Sequence, residues 1–387
     1  MSELFIPKTD LDYMIRIRRE IHEHPEIGLD LPHTAMVVER ELNALGIAST
    51  NQYLEHSRVA YLGPENAKKV IGIRTDMDAL PLQEETGLPF ASKIPGKMHA
   101  CGHDCHTAVL LGIAKALKSV ESSLKCRVKL IFQPAEETAP SGGRLMVEAG
   151  LMDDVTEVFT MHVSAGKPSG TIMLNKACMN ASCHTFKITV HGKSAHAAAP
   201  QNGIDAIAVG NRIYYDIQQM RAREIGAFEP VVVGIGVFKA GQVHNIIADT
   251  CELTGTVRAH SQKIENLTYK RINEIAENAC KEVGATCEVK WNEYMPPAWN
   301  DPVLSQKIID IASDMLGPDK IIEKPLGMGS EDFAYYVEKR PGARFLWGVH
   351  AEGAPMAPGH NGKFLVDEST FCIPADIYVR YVLENGE

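Results

Sequence analysis

The segment Val70-Ile71-Gly72-Ile73-Arg74-Thr75-Asp76-Met77-Asp78 joins a short apolar run to two acids. A continuous apolar run of this length is typical of a strand buried on both faces, as in a parallel sheet that is covered by helices. Asp76 and Asp78 are two positions apart, so they share one face if the strand extends that far. A turn with two solvated acids is the alternative. The segment favours an α/β domain with polar groups at the carboxyl end of a strand.

Two further strand-like runs end in polar residues of the same kind. Arg127 to Phe132 leads into Gln133-Pro134-Ala135-Glu136-Glu137, and Glu157 to Met161 ends on His162. Helical segments such as Ala108 to Val120 lie between the runs. Taken singly, these residues would be solvated loop acids or a structural histidine. Because ligands of open α/β sheets bind beyond the carboxyl ends of the strands, we expect one crevice to contain Asp76, Asp78, Glu136, Glu137 and His162.

The segment Met98-His99-Ala100-Cys101-Gly102-His103-Asp104-Cys105-His106-Thr107 concentrates thiols and imidazoles ahead of a helix. Gly102 lets the backbone turn sharply, so Cys101 and His103 can converge on one point. Both are good ligands for zinc and similar divalent ions. No second Cys or His pair follows, which favours an open catalytic site over a structural zinc module. A helix start with a buried thiol and a capping Asp104 is the alternative.

The length of 387 residues predicts two domains. Predicted strands and helices follow the order β-α-β-β-α-β over 184–191, 204–220, 231–238, 251–259, 263–283 and 286–291, which is the ferredoxin-like arrangement. We therefore predict an α/β catalytic domain with a central, mostly parallel sheet over 1–181 and 292–387. A ferredoxin-like domain is inserted at 182–291. Within the first domain, Leu11 to Leu45 predicts two helices that are broken at His24-Pro25.

Charge and composition limit the partners. A formal net charge of −10 argues against nucleic acid and anionic membrane surfaces, and favours small molecules. No apolar run approaches the roughly 18 residues of a membrane span, and Met1 to Lys8 lacks the basic and apolar parts of a signal peptide. Nine cysteines without a regular framework fit a reducing compartment. We expect a cytoplasmic protein.

Over nearly its whole length, the chain resembles the metallopeptidase-related amidohydrolases that include hippurate hydrolase, N-acyl-amino-acid deacylases and plant indoleacetyl-amino-acid hydrolases. The matching motifs are Thr75-Asp-Met-Asp-Ala-Leu-Pro, His99-Ala-Cys-Gly-His-Asp-Cys-His, Gln133-Pro-Ala-Glu-Glu, Met161-His162, Gly192-Lys-Ser-Ala-His-Ala-Ala-Ala-Pro, Gly329-Ser-Glu-Asp-Phe and Pro358-Gly-His360. The wider superfamily usually has His-x-Asp where this chain has Asp76-Met77-Asp78, and a bridging Asp where Cys101 stands. The bridging ligand and the preferred metal therefore stay open.

The resemblance implies a centre of two divalent metal ions, manganese or zinc with cobalt or nickel as alternatives, held by Cys101, His103, Glu137, His162 and His360. Five ligands exceed the three that one open zinc site uses, which agrees with two ions. Sequence spacing alone does not separate His360 from His350. The resemblance also implies that Glu136 is the general base. It implies an inserted domain that forms a homodimer and acts as a lid, with His196 and Asn245 near the oxyanion or the substrate carboxylate.

We predict metal-dependent hydrolysis of the amide bond in N-acyl amino acids, giving a carboxylic acid and a free amino acid. Arg258, planar and bidentate, is the predicted clamp for the substrate carboxylate, although Arg258, His196 and Asn245 are each also compatible with ordinary turn or edge positions. A dipeptidase or carboxypeptidase on the same metals is the first alternative. A non-catalytic metal-dependent binding protein and a cysteine hydrolase using Cys101 or Cys105 are the others. Glu136 speaks against a binding protein, since binding alone does not need a second carboxylate.

Overall fold

A computed structural model describes residues 7–386, and the chain divides into two compact units. The first unit comprises Met1–Met179, Trp299–Pro325 and Asp332–Glu387, and the second comprises Asn180–Ala298 and Leu326–Glu331. The second unit thus contains the predicted insertion 182–291 and is larger than it. The segment 326–331 is added because its backbone bonds to this unit: the carbonyl of Gly329 accepts from the Ala181 N–H at 2.9 Å.

The helices have the bounds α1 Lys8–Glu23, α2 Pro32–Ala44, α3 His103–Ser119, α4 Gly142–Glu148, α5 Ala206–Arg223, α6 Gln262–Glu282, α7 Pro302–Leu316, α8 Ala334–Val337 and α9 Cys372–Asn385. The strands have the bounds β1 Ser49–Thr50, β2 Arg58–Leu62, β3 Val70–Asp76, β4 Arg127–Gln133, β5 Glu157–Pro168, β6 Ile172–Leu174, β7 Cys178–Asn180, β8 Cys183–His191, β9 Val231–Ala240, β10 Thr250–Ala259, β11 Thr286–Met295, β12 Ala298–Trp299, β13 Ile321–Glu323 and β14 Gly342–His350.

The first unit is built on an eight-stranded sheet in the order β1-β2-β4-β3-β5-β14-β6-β13. The pairs β3–β4, β3–β5, β5–β14 and β6–β13 are parallel, and the other neighbouring pairs are antiparallel. All residues of β3 are buried, as expected for a central strand that is covered on both faces. The carboxyl ends of β3, β4 and β5 therefore lie at one edge of the sheet.

Helix α3 fills the centre of the first unit. It packs against β3, β5, α1, α2 and α9, and almost all of its residues are buried. The predicted start at Ala108 was wrong, because the helix begins five residues earlier at His103. Apolar periodicity could not detect this first turn, since its residues are polar and find their partners at the strand ends.

The second unit has the predicted βαββαβ order, formed by β8, α5, β9, β10, α6 and β11. Its antiparallel sheet has the order β11-β8-β10-β9, so the two helical crossovers place the first strand in the interior and β9 and β11 at the edges. Helix α5 begins after Asp205, whose carboxylate accepts hydrogen bonds from the Ile207 and Ala208 N–H groups. The predicted ferredoxin-like fold is therefore confirmed for this unit.

No helix among residues 7–386 is both long and apolar enough to cross a membrane.

Candidate metal centre

A sharp turn at Gly102 brings Cys101 and His103 together. Gly102 has a φ of 89°, and a Cβ at this position would lie 2.4 Å from the Val163 Cγ2 atom. Both facts favour glycine here, because a left-handed backbone strains other residues and an added Cβ would clash with Val163. Candidate ligand atoms of Cys101, His103 and His162 all lie within 4.8 Å of one another. The turn at Gly102 therefore brings the Cys101 and His103 side chains together, as the sequence predicts.

His162 lies within β5 and not at its end. The predicted end of this strand was wrong, because β14 pairs with β5 as far as Pro168. The other neighbour, β3, pairs with β5 only up to Thr160, which leaves His162 beyond that ladder. The Nδ1–H group of His162 donates to the Val163 carbonyl at 2.7 Å, so Nε2 carries the lone pair, 3.4 Å from the Cys101 Sγ. Burial lowers the pKa of His162 well below its usual value, which keeps the neutral form that binds metals.

Glu136 and Glu137 follow β4 in a tightly constrained loop. Ala135 has a positive φ of 56°, which is uncommon for a residue with a side chain and costs on the order of 1 kcal/mol. The next two N–H groups, of Glu136 and Glu137, donate to the two oxygens of Asp78 at 2.9 and 3.0 Å. The backbone of both glutamates is therefore held by one buried carboxylate.

The structure separates His360 from His350. The Nε2 atom of His360 lies 3.1 Å from Glu137 Oε1, and candidate ligand atoms of Cys101, Glu137 and His360 lie within 4.8 Å of one another. The His360 N–H donates to the Ala100 carbonyl at 2.8 Å, which holds this loop beside the Gly102 turn. His350 lies in β14 and joins no such group within residues 7–386. Cys101 belongs to both groups of candidate ligand atoms.

The surroundings of His103 show whether a cation fits this site. It is fully buried, and neither ring nitrogen makes a hydrogen bond. Its Nδ1 atom lies 3.4 Å from Asp78 Oδ1, and its Nε2 atom lies 4.0 Å from Glu136 Oε2 and 3.9 Å from Glu137 Oε1. Burial opposes a charged imidazole, but Asp76 and then Cys101 and Asp78 raise the pKa of His103 well above its usual value. A buried imidazole that makes no hydrogen bond and is surrounded by carboxylates and a thiol fits the role of a ligand to a divalent metal ion.

A buried hydrogen-bond network holds the neighbours of these residues in place. The Nε2 atom of His106 accepts from the Val163 N–H at 3.0 Å, so its Nδ1–H donates to Asp76 at 2.6 Å. Both ring nitrogens are therefore engaged, and His106 orients Asp76 instead of binding a metal. Although burial disfavours the charged form, His103, His106 and Arg74 hold the pKa of Asp76 well below its usual range.

Arg74 and Asp332 extend this network. Arg74 donates to Asp76 at 2.8 Å and to Asp332 at 2.6 Å. Asp332 also accepts from the Ser141 hydroxyl at 2.7 Å and from the Gly143 N–H at 3.0 Å, on the far side of the glutamate loop. The sequence interpretation gave Arg74, His106 and Asp332 no role. Their only signal was their position inside conspicuous motifs.

The thiols do not resemble activated nucleophiles. Burial raises the pKa of the Cys101 thiol, with a further contribution from the nearby carboxylates of Glu137 and Glu136, although His103 opposes the shift. Burial and Asp104 likewise raise the pKa of Cys105. A nucleophilic cysteine needs a lowered pKa, so the geometry favours Cys101 as a metal ligand over the cysteine hydrolase alternative.

The other predicted residues lie in the second unit. His196 and Asn245 are exposed and adjacent: the Asn245 carbonyl accepts from the Ala197 N–H at 3.0 Å. The Nδ1 atom of His196 accepts from the Ala198 N–H at 3.0 Å, so Nε2 carries the proton of the neutral ring. One amino group of Arg258, Nη1, donates to the Met328 carbonyl at 2.8 Å. Its Nε and Nη2 groups have no partner among the described residues.

Comparisons with known proteins identify the chain's relatives. Its sequence matches peptidase family M20/M25/M40 over residues 72–384. Thermostable carboxypeptidase 1 of Saccharolobus solfataricus is 36% identical over 368 residues, which are 94% of this chain and 93% of that protein. N-acetylcysteine deacetylase of Bacillus subtilis is 36% identical over 369 residues, 95% of each chain. A crystal structure of a dinuclear metal binding peptidase from the M20 family, also from Bacillus subtilis, has a TM-score of 0.85 and 32% identity, and covers 98% of this chain and 99% of the other.

These relatives confirm the predicted resemblance, the two-part α/β architecture and the hydrolase class. The deacetylase and the carboxypeptidase both carry names of hydrolases, and each aligns over nearly its full length. The chain therefore belongs to peptidase family M20/M25/M40 and is a hydrolase.

Proposed function

We propose that this protein hydrolyses the amide bond of N-acyl amino acids, including hippurate-like substrates, to a carboxylic acid and a free amino acid. Two divalent metal ions would be held by Cys101, His103, Glu137, His162 and His360. Manganese or zinc suits this set of thiol, imidazole and carboxylate groups, with cobalt or nickel as alternatives. The deacetylase similarity supports an acylated amino acid as substrate.

The arrangement of two adjacent glutamates around His103 carries the proposal. Glu136 and Glu137 lie at nearly the same distance from the His103 Nε2 atom, 4.0 and 3.9 Å. Only Glu137 also joins a group with Cys101 and His360. This difference supports Glu137 as a ligand and Glu136 as a base. A protein that only binds metal has no use for the second acid.

The chemistry then divides among the residues. When bound, the two ions supply Lewis acidity to a water molecule and to the scissile carbonyl. Glu136 accepts the proton of the attacking water and returns it to the leaving amine. His106, Asp76 and Arg74 keep the supporting side chains in one arrangement, which limits the reorganisation needed during the reaction.

The second unit would supply substrate contacts. His196 has a protonated Nε2 in its neutral form and is exposed, so it can donate to a developing oxyanion, with Asn245 beside it. Arg258 keeps two donor groups available for a carboxylate although Nη1 is occupied. Arg258→Ala would then raise KM for N-acyl amino acids by roughly 10–100-fold, consistent with loss of one charge-assisted contact.

A substrate panel tests the proposal. Purified protein is loaded separately with manganese, zinc, cobalt or nickel, and released amino acid is measured from N-acetyl, N-benzoyl and N-indoleacetyl amino acids. Unmodified dipeptides and N-blocked dipeptides form the comparison set. The proposal expects higher kcat/KM for acyl amino acids than for dipeptides with the same carboxy-terminal residue. The opposite order, with every metal, would contradict it.

A carboxypeptidase activity on the same metals is the second candidate. The similarity to a thermostable carboxypeptidase favours it, because that alignment covers as much of the chain as the deacetylase alignment does. Both activities cleave an amide next to a free carboxylate and differ in what lies on the acyl side. Preference for N-blocked dipeptides in the panel would establish the carboxypeptidase.

We also propose that the second unit forms a homodimer. Strand β9 is a ten-residue edge strand. Its carboxyl-terminal half is largely exposed, including Val237 and Phe238. Long exposed apolar edges are uncommon in monomers because they invite pairing with another chain. Replacing Val237 and Phe238 by Lys should yield monomers in light scattering. A variant that stays dimeric would exclude this edge.

A cytoplasmic location is the remaining proposal. All nine cysteines are free thiols, which suits a reducing compartment. Cell fractionation that finds the protein in an oxidising compartment would contradict it.

A further inference from the structure

We propose that Glu84 is a positioning residue for the metal centre, because it fixes a surface loop that holds the backbone beside His360. The inference rests on the proposed function, and it extends the site to the loop of residues 81–97, which contains no metal ligand and no general base. This loop lies between β3 and α3 and contains neither helix nor strand. Loops of this length without secondary structure are uncommon in compact domains and are usually functional or disordered.

The 81–97 loop is held at its base and along its length. The backbones of Leu80 and Met98 exchange hydrogen bonds of 3.0 and 3.1 Å, which closes the loop at its base. Further along the loop, the Lys93 N–H donates to the Glu23 carbonyl at 2.8 Å. Glu23 is the last residue of α1. The loop is therefore closed on itself and docked against α1.

Glu84 organises the interior of this loop. Its side chain is 3% exposed, and its carboxylate accepts from the Ser92 N–H at 2.7 Å and from the Thr86 hydroxyl. The same carboxylate lies 3.3 Å from the Nε2 atom of His22, on α1. Although burial opposes ionisation, these three contacts hold the pKa of Glu84 below its usual range. One side chain thus joins two parts of the loop to each other and to α1.

The next residue connects the 81–97 loop to the metal centre. The Glu85 N–H donates to the Gly362 carbonyl at 2.7 Å. A Cβ on Gly362 would lie 2.6 Å from the Gln83 carbonyl oxygen, so the two segments approach as closely as glycine allows. Gly362 lies two positions after His360, in the loop that follows β14. The position of the Glu85 N–H depends in turn on how Glu84 is held.

His360 depends on such support more than the other candidate ligands do. It is the most exposed of the five, and 57% of its side-chain surface is accessible, so packing does not fix its ring. Its backbone has a positive φ of 59°, which persists only where neighbouring contacts impose it. Two backbone contacts do so, from His360 to the Ala100 carbonyl at 2.8 Å and from Glu85 to Gly362. We therefore expect loss of the second contact to misplace this ligand.

Metal binding by the full-length protein tests the role of Glu84. Metal-free protein is titrated with Mn²⁺, and separately with Zn²⁺, in a calorimeter, and the number of bound ions is checked by elemental analysis. The wild type should bind both ions proposed above. Glu84→Ala should weaken one binding step by about 10–100-fold and leave the other unchanged, as expected when a group that orients one ligand is lost. Glu84→Gln should have a smaller effect, because its amide oxygen still accepts a hydrogen bond.

Glu85→Ala is the matched control, because it removes a neighbouring acid of the same loop. The Glu85 side chain is exposed and makes no hydrogen bond or ion pair within residues 7–386, and alanine keeps the N–H that donates to Gly362. Both binding steps should be unchanged. Equal weakening by Glu85→Ala and Glu84→Ala would overturn the inference, as would a Glu84→Ala variant that binds both ions like the wild type.

A second variant breaks the contact between the two loops without changing Glu84. Gly362→Ala places a Cβ against the Gln83 carbonyl, so it should weaken the same binding step as Glu84→Ala. In a His360→Ala background, neither variant should weaken metal binding further, because the ligand that they position is already absent. A merely structural role would give additive losses in this background, and that result would overturn the inference.

Hydrogen exchange measures the same contact in the wild-type protein. The Glu85 amide should be protected in the metal-free state, and exchange at the rate of an open loop would overturn the inference. An unchanged affinity for both ions in His360→Ala would also overturn it. The proposed function fails in a different way: a wild type that binds two ions, responds to Glu84→Ala as described and still cleaves no acyl amino acid or peptide would contradict the function and leave the role of Glu84 intact.

Discussion

Two buried polar clusters lie at the start of α3, and they differ in where their positive charge comes from. In the paired cluster, Asp104 accepts from Arg18 at 2.7 Å and lies 2.7 Å from the His22 Nδ1 atom. Arg18 also reaches Glu368 at 3.2 Å. The site cluster consists of Cys101, His103, Glu136, Glu137, His162 and His360.

None of the six residues of the site cluster is an arginine or a lysine. Glu137 Oε1 lies 3.1 Å from the His360 Nε2 atom and 3.9 Å from the His103 Nε2 atom, and neither ring nitrogen of His103 makes a hydrogen bond. Burying a charge is costly unless it is paired, so Arg18 stabilises the buried Asp104, whereas the site cluster brings together groups that can bind a divalent ion. The difference teaches that burial of polar groups does not by itself mark a functional site. Candidate ligand atoms that converge on one point, as those of Cys101, His103 and His162 do, are a better sign of one.

The largest expected effect separates two residues within the site cluster. Glu136→Gln keeps size and hydrogen bonding but cannot accept a proton, so kcat should fall by about 10²–10⁴ while metal content stays near normal. Glu137→Ala removes a ligand, so metal content should fall, and added metal should restore part of the activity. Elemental analysis and steady-state kinetics on the same preparations measure both.

The opposite pattern of metal loss in the two glutamate variants would also be informative. If Glu136→Gln lost its metal while Glu137→Ala retained it, the two roles would be reversed. If both variants stayed active, neither glutamate would serve the reaction. Glu157→Gln serves as the control for loss of a buried acid, because Glu157 lies at the amino end of β5 and accepts from the Tyr381 hydroxyl at 2.8 Å.

The next effect concerns the paired cluster. Asp104→Ala leaves Arg18 buried without its closest partner, so the free energy of unfolding should fall by about 3–5 kcal/mol. In the metal-free protein, Glu137→Ala should lower the free energy of unfolding by much less, because no buried arginine or lysine of the site cluster loses its partner. Urea unfolding of both variants in chelator compares them. Equal losses would erase the proposed distinction between the clusters.

Metal removal should act on the site cluster alone. Chelation should abolish activity and remove the stabilisation contributed by binding, which is about 2.7 kcal/mol when free metal is 100 times Kd. The Asp104→Ala variant should lose a similar free energy of unfolding on chelation, since the contacts of Arg18 and His22 do not depend on the metals. Full activity after complete chelation, with metal absence verified by elemental analysis, would sink the metal mechanism.

The smallest effect is a pH dependence in the metal-free protein. Although burial opposes ionisation, Arg18 and His22 hold the pKa of Asp104 well below its usual range. A lowered folded-state pKa gives stability that is present above the unfolded value, about 3.9, and is lost as pH falls toward the folded value. Each proton taken up on unfolding contributes about 1.4 kcal/mol per pH unit. Asp104→Asn should therefore lose less stability than wild type between pH 5 and pH 3 in urea titrations, and parallel curves would contradict the assignment.

Much of the architecture could be predicted because local patterns coincide with it. The apolar run at Val70 is a buried central strand, and the two helices predicted on either side of His24-Pro25 are α1 and α2. The βαββαβ order was likewise visible in successive periodicities. The first turn of α3 and the true length of β5 were missed, since polar residues at a buried site break the patterns that mark helices and strands.

The supporting residues could not be predicted from spacing. Asp332 reaches Arg74 and Gln133 across 258 and 199 positions of sequence. His106 and His103 are three positions apart on the same helix, yet one has both nitrogens engaged and the other has neither. Sequence distance carries no information about such pairings, because they depend on which strand lies next to which.

The sequence by itself determined the residue types, the strands in or after which they lie and the family to which the motifs point. Those properties are local, because they depend on periodicity, on Gly102 and on short motifs. The resemblance pointed to His360 although spacing did not separate it from His350, and the tertiary structure brings His360 to Glu137 and Cys101. The tertiary structure alone decided that Asp78 holds the amides of Glu136 and Glu137. Such choices depend on the order of strands and on distances between remote segments, which come into existence only when the sheet has formed.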